Sequence, residues 1–235
     1  MDKQLCASFT SSPESPWDTL HHELALIRAG YSQVAGVDEA GRGPLAGPVV
    51  AGCVILPLDC EYHRFKDSKK LTAASRDTLY DLLQCCGAKI GVAVVEPDEI
   101  DRINILQASL QAMARAVSGL SREYGVDPDF LLVDGKFTAP VELPQQALIK
   151  GESKSASIAA ASIIAKVTRD RLMAEYHEQY PHYNFLQNKG YPTAEHRRAV
   201  KRFGPCPIHR RTFKGVREFT EGCGSSPEPQ QSGLW

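Results

Sequence analysis

The hydrophobic residues of the chain fall into short apolar runs that are separated by amphipathic stretches. The apolar runs have the length of strands. They predict four strands and a shorter candidate fifth, over residues 34–37, 49–56, 88–95, 130–133 and 147–149. The amphipathic stretches predict helices over residues 16–29, 73–86, 97–120, 157–178 and 193–203, and Thr72 is typical of a helix start. Helices that alternate with strands indicate an α/β fold, a sheet covered by helices.

Composition excludes several classes of protein. Of the 235 residues, 43% are hydrophobic and 23% are charged, which is an ordinary globular composition. The longest apolar stretch, residues 49–56, is far shorter than the ~18 to 20 residues of a membrane span. The seven cysteines form no C-x-x-C pair, which fits reduced thiols in a cytoplasmic protein better than a disulfide framework or a zinc site.

The formal net charge of −1 hides an uneven distribution. Residues 189–217, the basic segment, carry a charge of +8 from nine cations and the single acid Glu195, so the rest of the chain carries −9. Such a segment fits a surface that binds a polyanion. On charge alone, a solvated basic helix is the commoner explanation.

Acids follow two of the predicted strands. Asp38 and Glu39 come directly after residues 34–37, and Asp134 comes directly after residues 130–133. If these strands lie parallel and adjacent, the acids emerge at the carboxyl edge of the sheet, where open α/β sheets place their sites. Taken singly, Asp38 could merely end its strand and Asp134 could begin a turn.

A fourth acid, Asp170, lies on the apolar stripe of its predicted helix, one turn after Val167. An unpaired carboxylate would be unfavourable there. Asp170 therefore either joins the other acids or pairs with a neighbouring cation, for which Lys166, Arg169 and Arg171 are candidates. Taken alone, the ion pair is the more frequent case.

Convergence of these four acids would create a site for divalent metal. Carboxylate oxygens favour hard cations such as Mg²⁺ or Mn²⁺, and two such ions can activate water and stabilise the leaving oxygen of a phosphodiester. Hydrolysis of a polyanion would also explain an acidic centre beside a basic segment. Residues 41–46 formally match a dinucleotide-binding fingerprint, but a glycine, a proline and a strand follow them instead of a helix.

The segment VDEAGRGPLAGP, residues 37–48, closely resembles the signature of bacterial ribonuclease HII. Further segments occur in the order expected of that family: Asp67-Ser68-Lys69-Lys70-Leu71, Val133-Asp134-Gly135, AAASIIAKVTRD at 159–170, Lys189-Gly190-Tyr191 and His209-Arg210-Arg211-Thr212-Phe213. Two positions, Glu152 and Cys206, depart from the family's pattern, and neither is one of the four acids. The resemblance covers about residues 33–217.

The resemblance implies a ribonuclease H-like fold, with a mixed five-stranded sheet flanked by helices and a helical C-terminal extension. By matching positions, it implies that the catalytic and metal-binding acids are Asp38, Glu39, Asp134 and Asp170. It implies substrate contacts at Gly41, Arg42, Gly43, Tyr191, Lys69 and Lys189. The three residues of the Gly-Arg-Gly loop would sense the ribose 2′-hydroxyl, Tyr191 would stack on the next deoxyribose, and the lysines would contact phosphates. Without the resemblance, Tyr191 would be explained more simply as a packed aromatic in a turn.

The activity that the resemblance implies is that of a metal-dependent endoribonuclease. It would cut RNA in RNA–DNA hybrids and cut 5′ of ribonucleotides embedded in duplex DNA, leaving 5′-phosphate and 3′-hydroxyl ends. An exonuclease of the same fold is the nearest competing activity, although an Asp-x-Glu pair would be expected there instead of adjacent Asp38 and Glu39. Two possibilities involve no catalysis: a nucleic-acid-binding protein that uses only the basic segment, and an acid-rich sheet edge that has no ligand.

The expected organisation is a helical lead-in over residues 1–32, a catalytic domain over 33–219 that includes the basic segment, and a disordered tail over 220–235. We expect a cytoplasmic monomer that binds RNA–DNA hybrid and ribonucleotide-containing duplex DNA, and no membrane.

Overall fold

Five strands form one mixed sheet in the computed structural model of the chain, which describes residues 18–65 and 71–220. They are β1 (Val34–Ala40), β2 (Val49–Ile55), β3 (Lys89–Val95), β4 (Phe130–Asp134) and β5 (Gln145–Leu148). The strand order is β3-β2-β1-β4-β5. The pairs β1–β4 and β4–β5 are parallel, whereas β1–β2 and β2–β3 are antiparallel. The mixed five-stranded sheet predicted from the sequence is confirmed.

The described residues form seven α-helices: α1 (His21–Arg28), α2 (Ala73–Cys85), α3 (Pro97–Ile103), α4 (Ile105–Tyr124), α5 (Ala156–Gln179), α6 (Phe185–Asn188) and α7 (Ala194–Phe203). The two longest, α4 and α5, cover opposite faces of the sheet. Alternate residues of β2 therefore face different helices, with Ala51 and Cys53 in the cluster that contains α4 and Val54 in the cluster that contains α5. The helical C-terminal part is also present, as α6, α7 and the turns that follow.

Small residues allow α5 to lie unusually close to the sheet. A Cβ atom on Gly52 of β2 would lie 2.6 Å from the carbonyl oxygen of Ala161, and one on Gly36 of β1 would overlap the backbone of Ser157 and Ile158. Since no side chain separates them, α5 runs directly over β1. This close packing brings the middle of α5 over the end of β1, where Asp38 lies.

The single long helix predicted from Pro97 is wrong, because the chain breaks at Asn104 into α3 and α4. Asn104 has φ +68°, and its side-chain oxygen accepts hydrogen bonds from the N–H groups of Leu106 and Gln107. It therefore caps α4 while it tolerates a left-handed backbone. The apolar stripe continues through the break, which is why periodicity did not show it.

Leu26 and Ile27 of the N-terminal helix, with Tyr31 just after it, pack against a cluster from β1, β4, β5 and α5. Glu23 of this helix is buried, and its Oε1 atom accepts hydrogen bonds from the hydroxyls of Ser155 and Ser157, both at 2.6 Å. The predicted start of α1 at residues 15 and 16 and the predicted tail lie outside the described residues, apart from residue 220. The division into lead-in, catalytic domain and tail stays a prediction. Among the described residues, no helix combines the length and hydrophobicity that a membrane crossing requires.

Candidate active site

The carboxyl ends of β1 and β4 lie side by side, as the sequence predicted. Val37 pairs with Val133 in the parallel register, so the next residue of each strand, Asp38 and Asp134, reaches the same edge of the sheet. Glu39 follows Asp38 within β1. The sheet therefore brings three of the four candidate acids to one edge.

Asp38 is the most deeply buried of these acids, with 3% of its surface exposed. Its Oδ1 atom accepts a hydrogen bond of 2.7 Å from the N–H of Glu39, and the Ser162 hydroxyl of α5 donates another to its carboxylate. Burial raises the pKa of Asp38 well above its ordinary value, and the negative charges of Glu39 and Asp134 raise it further. The carboxylates are thus near enough to repel one another.

Glu39 and Asp134 have different partners. Burial raises the pKa of Glu39 and the charge of Asp134 adds to the rise, whereas Arg42, whose Nη1 lies 3.2 Å from Oε1 of Glu39, partly offsets it. Asp134 accepts a hydrogen bond of 2.6 Å from the N–H of Gly151. A Cβ atom on Gly151 would lie 3.1 Å from that carboxylate oxygen and 2.6 Å from Cδ1 of Ile158, so only glycine fits without rearrangement. Gly151 is a site residue that the sequence did not reveal.

The fourth acid, Asp170, forms an ion pair with a cation of its own helix. Its Oδ1 lies 2.7 Å from Nζ of Lys166, one turn earlier on α5, so the ion pair considered from the sequence is present. Ser162, Lys166 and Asp170 follow one another at four-residue spacing along one face of α5. Ser162 is at the Asp38 end of this row, and Lys166 lies between the buried acids and Asp170.

Two neighbouring cavities reflect this arrangement. A cleft of about 380 Å³ is lined by Asp38, Glu39, Ala40, Gly41, Arg42, Gly43, Arg76, Ser162, Lys166 and Tyr191. A smaller cavity of about 210 Å³ includes Asp170, Lys189 and Arg76 in its lining. Arg76 of α2 lines both cavities and therefore marks the boundary between them.

The chemistry of the acids fits a divalent cation. Carboxylates that raise one another's pKa gain from a nearby positive charge, and their oxygens are the ligands that Mg²⁺ and Mn²⁺ prefer. In the part of the chain that the structure describes, no group of three or more His, Cys, Asp or Glu side chains lies close enough to hold an ion. Holding a cation therefore requires these side chains to move closer together.

The Gly-Arg-Gly loop and Tyr191 lie on the same cleft as Asp38 and Glu39. The Tyr191 side chain is not packed in the core, since the residue is 43% exposed. A Cβ atom on Gly43 would lie 3.6 Å from Cε1 of Tyr191, so ring and loop are neighbours. The structure brings the loop and the ring together with Asp38 and Glu39, whereas the sequence related them only through the family resemblance.

Lys189 and Lys69 are the other two candidate substrate contacts. Lys189 lies beside Asp170 instead of in the larger cleft, and its Nζ is 3.4 Å from the backbone carbonyl oxygen of Asp170. Burial lowers the pKa of Lys189, and the charge of Asp170 partly opposes that effect. Lys69 lies outside the described residues, and its phosphate contact stays a prediction.

Comparison with known proteins identifies the family. The family model for ribonuclease HII matches residues 35–216. The chain belongs to the ribonuclease HII family. It is 56% identical over 206 residues to the ribonuclease HII of Desulfotalea psychrophila, a match that covers 88% of this chain and 91% of that protein. It is 56% identical over 196 residues to the ribonuclease HII of Geobacter metallireducens, covering 83% and 90%.

Among solved structures, the ribonuclease H2 of Pyrococcus horikoshii OT3 is similar, with a TM-score of 0.66 and 30% sequence identity. The match covers 81% of this chain and 98% of that chain. The family and the fold that the sequence motifs implied are therefore both confirmed.

The cations of the basic segment lie partly on the surface and partly in the interior of the protein. Its exposed cations include four on α7: Arg197, Arg198, Lys201 and Arg202. Arg210, counted among the nine cations, is instead fully buried. Fewer than nine cations of the segment are therefore available to bind a polyanion, and Arg210 has another role.

Two cleft residues, Lys166 and Arg76, were not assigned to the site from the sequence. Lys166 was predicted only as a partner for Asp170, and Arg76 was not predicted at all. The four-residue spacing of Lys166 from Ser162 and Asp170 is a signal that could have placed it. Arg76 comes from a helix with no acidic or glycine motif, so no sequence signal marked it.

Proposed function

We propose that this protein cuts 5′ of ribonucleotides embedded in duplex DNA, in addition to cutting RNA in RNA–DNA hybrids, and leaves 5′-phosphate and 3′-hydroxyl ends. Membership in the family makes the chain a metal-dependent endoribonuclease of the ribonuclease H type that acts on such hybrids. The observation that carries the proposal is the shared cleft of about 380 Å³, which is lined by Asp38, Glu39, the Gly-Arg-Gly loop and the exposed ring of Tyr191.

Each group of residues in and around the cleft has a separate task in this proposal. Asp38, Glu39 and Asp134 would hold divalent metal, and Asp170 would join them after it leaves Lys166. A pair of bound divalent cations supplies activation of water and stabilisation of the leaving oxygen. The protein itself binds the strand, orients the scissile phosphate and places positive charge around it.

The Gly-Arg-Gly loop supports selection of a ribonucleotide. Backbone groups that approach the sugar closely can hydrogen-bond a 2′-hydroxyl, which deoxyribose lacks. Tyr191 presents an apolar ring beside Gly43, in a position to stack on the following sugar. A single ribonucleotide followed by deoxyribonucleotides fits both contacts, which is why we favour cutting on its 5′ side.

Lys166 and Arg76 add to the positive charge of Arg42 within the cleft. Lys166 lies on the face of α5 between Ser162 and Asp170, and Arg76 lines the cleft from α2. Both can approach phosphate oxygens on either side of the scissile bond. The ion preferred by the protein, its monomeric state and a cytoplasmic location remain predictions from the sequence.

Mapping the products tests this function. The substrates are an RNA–DNA hybrid and a DNA duplex with one ribonucleotide, both with blocked ends, incubated with Mg²⁺ or Mn²⁺. The proposal predicts internal cuts in both, with the cut in the duplex on the 5′ side of the ribonucleotide and a 3′-hydroxyl end upstream. A cut 3′ of the ribonucleotide, or no reaction because the ends are blocked, contradicts it.

A further inference from the structure

Two arginine side chains are fully buried beneath residues 41–48, here named the glycine loop. Arg169 comes from α5 and Arg210 from the segment that follows α7, and neither has exposed surface. Together they donate eight hydrogen bonds, and every acceptor is a backbone carbonyl oxygen. Seven of these hydrogen bonds are accepted by the glycine loop, and the eighth is accepted by the carbonyl of Lys189. Burying two guanidinium groups in this way is unfavourable unless their hydrogen bonds are fully satisfied.

Arg210 satisfies all five of its N–H groups on this one loop. Nε donates to the carbonyl of Gly47 at 3.0 Å, and Nη2 donates to those of Gly41 at 2.6 Å and Pro48 at 3.2 Å. Nη1 donates to the carbonyls of Arg42 at 3.1 Å and Pro44 at 2.9 Å. Arginine alone among the side chains offers five donors in a fixed plane. Lysine offers three donors without that planar arrangement.

Arg169 supports the same loop from the α5 side. Its Nε donates to the carbonyl of Pro48 at 2.9 Å, and its Nη2 donates to that of Ala46 at 3.1 Å. A Cβ atom on Gly41 would overlap the Arg169 side chain and would lie 2.7 Å from the carbonyl oxygen of Pro48. Gly41 also has φ +104°, a conformation that favours glycine. The loop is therefore packed directly on the guanidinium.

These hydrogen bonds fix the direction of two amide donors. In a trans peptide the carbonyl of one residue and the N–H of the next point in opposite directions. Because the carbonyls of Gly41 and Arg42 point to Arg210, the N–H groups of Arg42 and Gly43 point away from it. Arg42 and Gly43 line the active-site cleft and Arg210 does not, so the loop separates the guanidinium from the cleft.

Neither of these two N–H groups donates to another residue in residues 18–65 or 71–220. By contrast, the N–H of Leu45 donates to the carbonyl of Gly190, and that of Gly47 donates to the carbonyl of Ile208. The part of the glycine loop beside the cleft thus keeps two donors for a ligand, whereas the rest of the loop is bonded to the C-terminal segment.

We propose that Arg210, supported by Arg169, is a positioning residue for ribose recognition, because it aims the N–H groups of Arg42 and Gly43 at the 2′-oxygen of the ribonucleotide. This inference rests on the proposed function and adds a determinant of sugar selectivity to it. Arg210 does not touch the substrate. Its replacement should reduce the preference for a ribonucleotide more than the affinity for DNA, because phosphate contacts come from other residues.

The test compares two DNA duplexes of the same sequence, one of which carries a single ribonucleotide. Affinity for each is measured with EDTA present, so that no strand is cut, and kcat and KM for the ribonucleotide duplex are measured with Mn²⁺. For Arg210→Lys we expect the affinity ratio between the two duplexes to fall about 10-fold, as for one to two lost hydrogen bonds. Affinity for the all-DNA duplex should change less than about 2-fold, and the loss in kcat should exceed the change in KM.

Glu23→Ala is the matched control for a loss of stability alone, because Glu23 is buried against the start of α5 and contacts Ser155 and Ser157 instead of the glycine loop. It should lower Tm and leave the affinity ratio unchanged. A folded Arg210→Lys protein that keeps the wild-type ratio overturns the proposal. If Arg210→Lys does not fold, the same ratio measured on Arg169→Lys decides: a partial loss supports the proposal and an unchanged ratio overturns it. A wild-type protein that neither prefers nor cuts the ribonucleotide duplex overturns the proposed function itself, before any variant is compared.

Discussion

Nζ of Lys166 lies 2.7 Å from Oδ1 of Asp170, one helical turn further along α5. The ammonium group is therefore the cation that neutralises the fourth acid, while Lys166 also lines the cleft that contains Asp38 and Glu39. A divalent cation that recruits Asp170 has to replace this ion pair. The freed ammonium group would then be available to phosphate.

Asp170→Asn should abolish cleavage and spare binding. An amide cannot supply the negative charge that a divalent cation requires, and a loss of at least about 100-fold in kcat is expected, since even groups that support metal ligands contribute roughly 10- to 100-fold. Binding of the hybrid at low salt should change little, because it depends on the basic surface. Single-turnover cleavage and a binding titration with EDTA present measure the two effects.

Lys166→Gln tests whether Asp170 acts as a metal ligand or only as the ion-pair partner of Lys166. If Asp170 served only as the partner of Lys166, Asp170→Asn would cost no more activity than Lys166→Gln. We expect Lys166→Gln to reduce kcat by less than Asp170→Asn, because it leaves all four acids in place. Equal losses in the two variants would argue against Asp170 as a metal ligand.

Divalent cations should stabilise the protein against unfolding. Because the pKa values of Asp38 and Glu39 are raised, their ionisation destabilises the native state as the pH rises from the ordinary carboxyl range through those raised values. A cation bound at these acids reverses this effect, adding about 2.7 kcal/mol when its concentration is 100 times Kd. Tm measured with and without Mn²⁺ should show the increase, and the increase should shrink as the pH falls.

The matched variants for this measurement are Asp38→Asn and Asp81→Asn. Asp38→Asn should remove most of the metal-dependent rise in Tm. Asp81 is exposed on α2, and its replacement should leave the rise intact. A rise that survives Asp38→Asn and Asp134→Asn would place the metal elsewhere.

A buried chain of hydrogen bonds joins Cys206 to the backbone of Tyr191. Nδ1 of His209 accepts from the N–H of Cys206 at 3.0 Å, so its Nε2 carries the proton and donates to Nε2 of His196, also at 3.0 Å. His196 in turn donates through Nδ1 to the carbonyl of Tyr191 at 2.9 Å. Both rings must be neutral, since protonation of either would place two donors face to face.

Stability should therefore fall as the pH drops below about 6.5, the ordinary histidine pKa. Burial lowers the pKa of His209 to about 3, and it also lowers that of His196. The unfolded chain then binds protons that the native state excludes, so the contribution of these two histidines to stability is full above pH 6.5 and is lost towards pH 3. Each such histidine contributes up to about 1.4 kcal/mol per pH unit. Denaturant unfolding between about pH 7.5 and 4.5 measures this slope.

His209→Asn should flatten that slope, even though it lowers stability at neutral pH by removing two hydrogen bonds. His63 is a control, since it lies in a surface turn, and His63→Asn should leave the slope unchanged. If His209→Asn and the wild-type protein have the same slope, the buried pair is not the source of the acid sensitivity.

The exposed cations of α7 should set much of the salt dependence of binding. Arg198→Ala combined with Lys201→Ala should weaken hybrid binding at low salt and reduce the slope of log K against log salt by about 0.9 for each phosphate contact removed. Arg122→Ala removes an exposed cation at the C-terminal end of α4, beside the β3 edge, and should leave the slope unchanged. Equal slopes for the double variant and the wild-type protein would show that the polyanion does not bind at α7.

The sequence was sufficient for the sheet and for the edge at which the acids meet. Apolar runs of strand length marked the strands, and Thr72 and Thr193 were placed correctly at helix starts, where their hydroxyls accept from Ser75 and His196. The adjacent placement of Asp38 and Asp134 followed from parallel pairing. These features depend on local pattern, which a single sequence displays.

Features that depend on distant backbone groups could not be predicted. Arg210 was counted as part of a polyanion surface, yet it is buried on carbonyls more than 160 residues earlier in the chain. Gly151 positions Asp134 through its own N–H, and glycine patterns do not show which amide points where. The break at Asn104 was hidden because the apolar stripe runs through it.

The central claim is that the cleft recognises a ribonucleotide and cuts beside it with divalent metal. Its most direct test is single-turnover cleavage of a DNA duplex that carries one ribonucleotide and of the same duplex in DNA alone, by the wild-type protein and by Asp134→Asn, with Mn²⁺ or with EDTA. Cleavage by the wild-type protein of the ribonucleotide duplex alone, only with Mn²⁺ and not by Asp134→Asn, is the predicted result. Equal cutting of the all-DNA duplex, or turnover that persists in EDTA or in Asp134→Asn, would contradict the account.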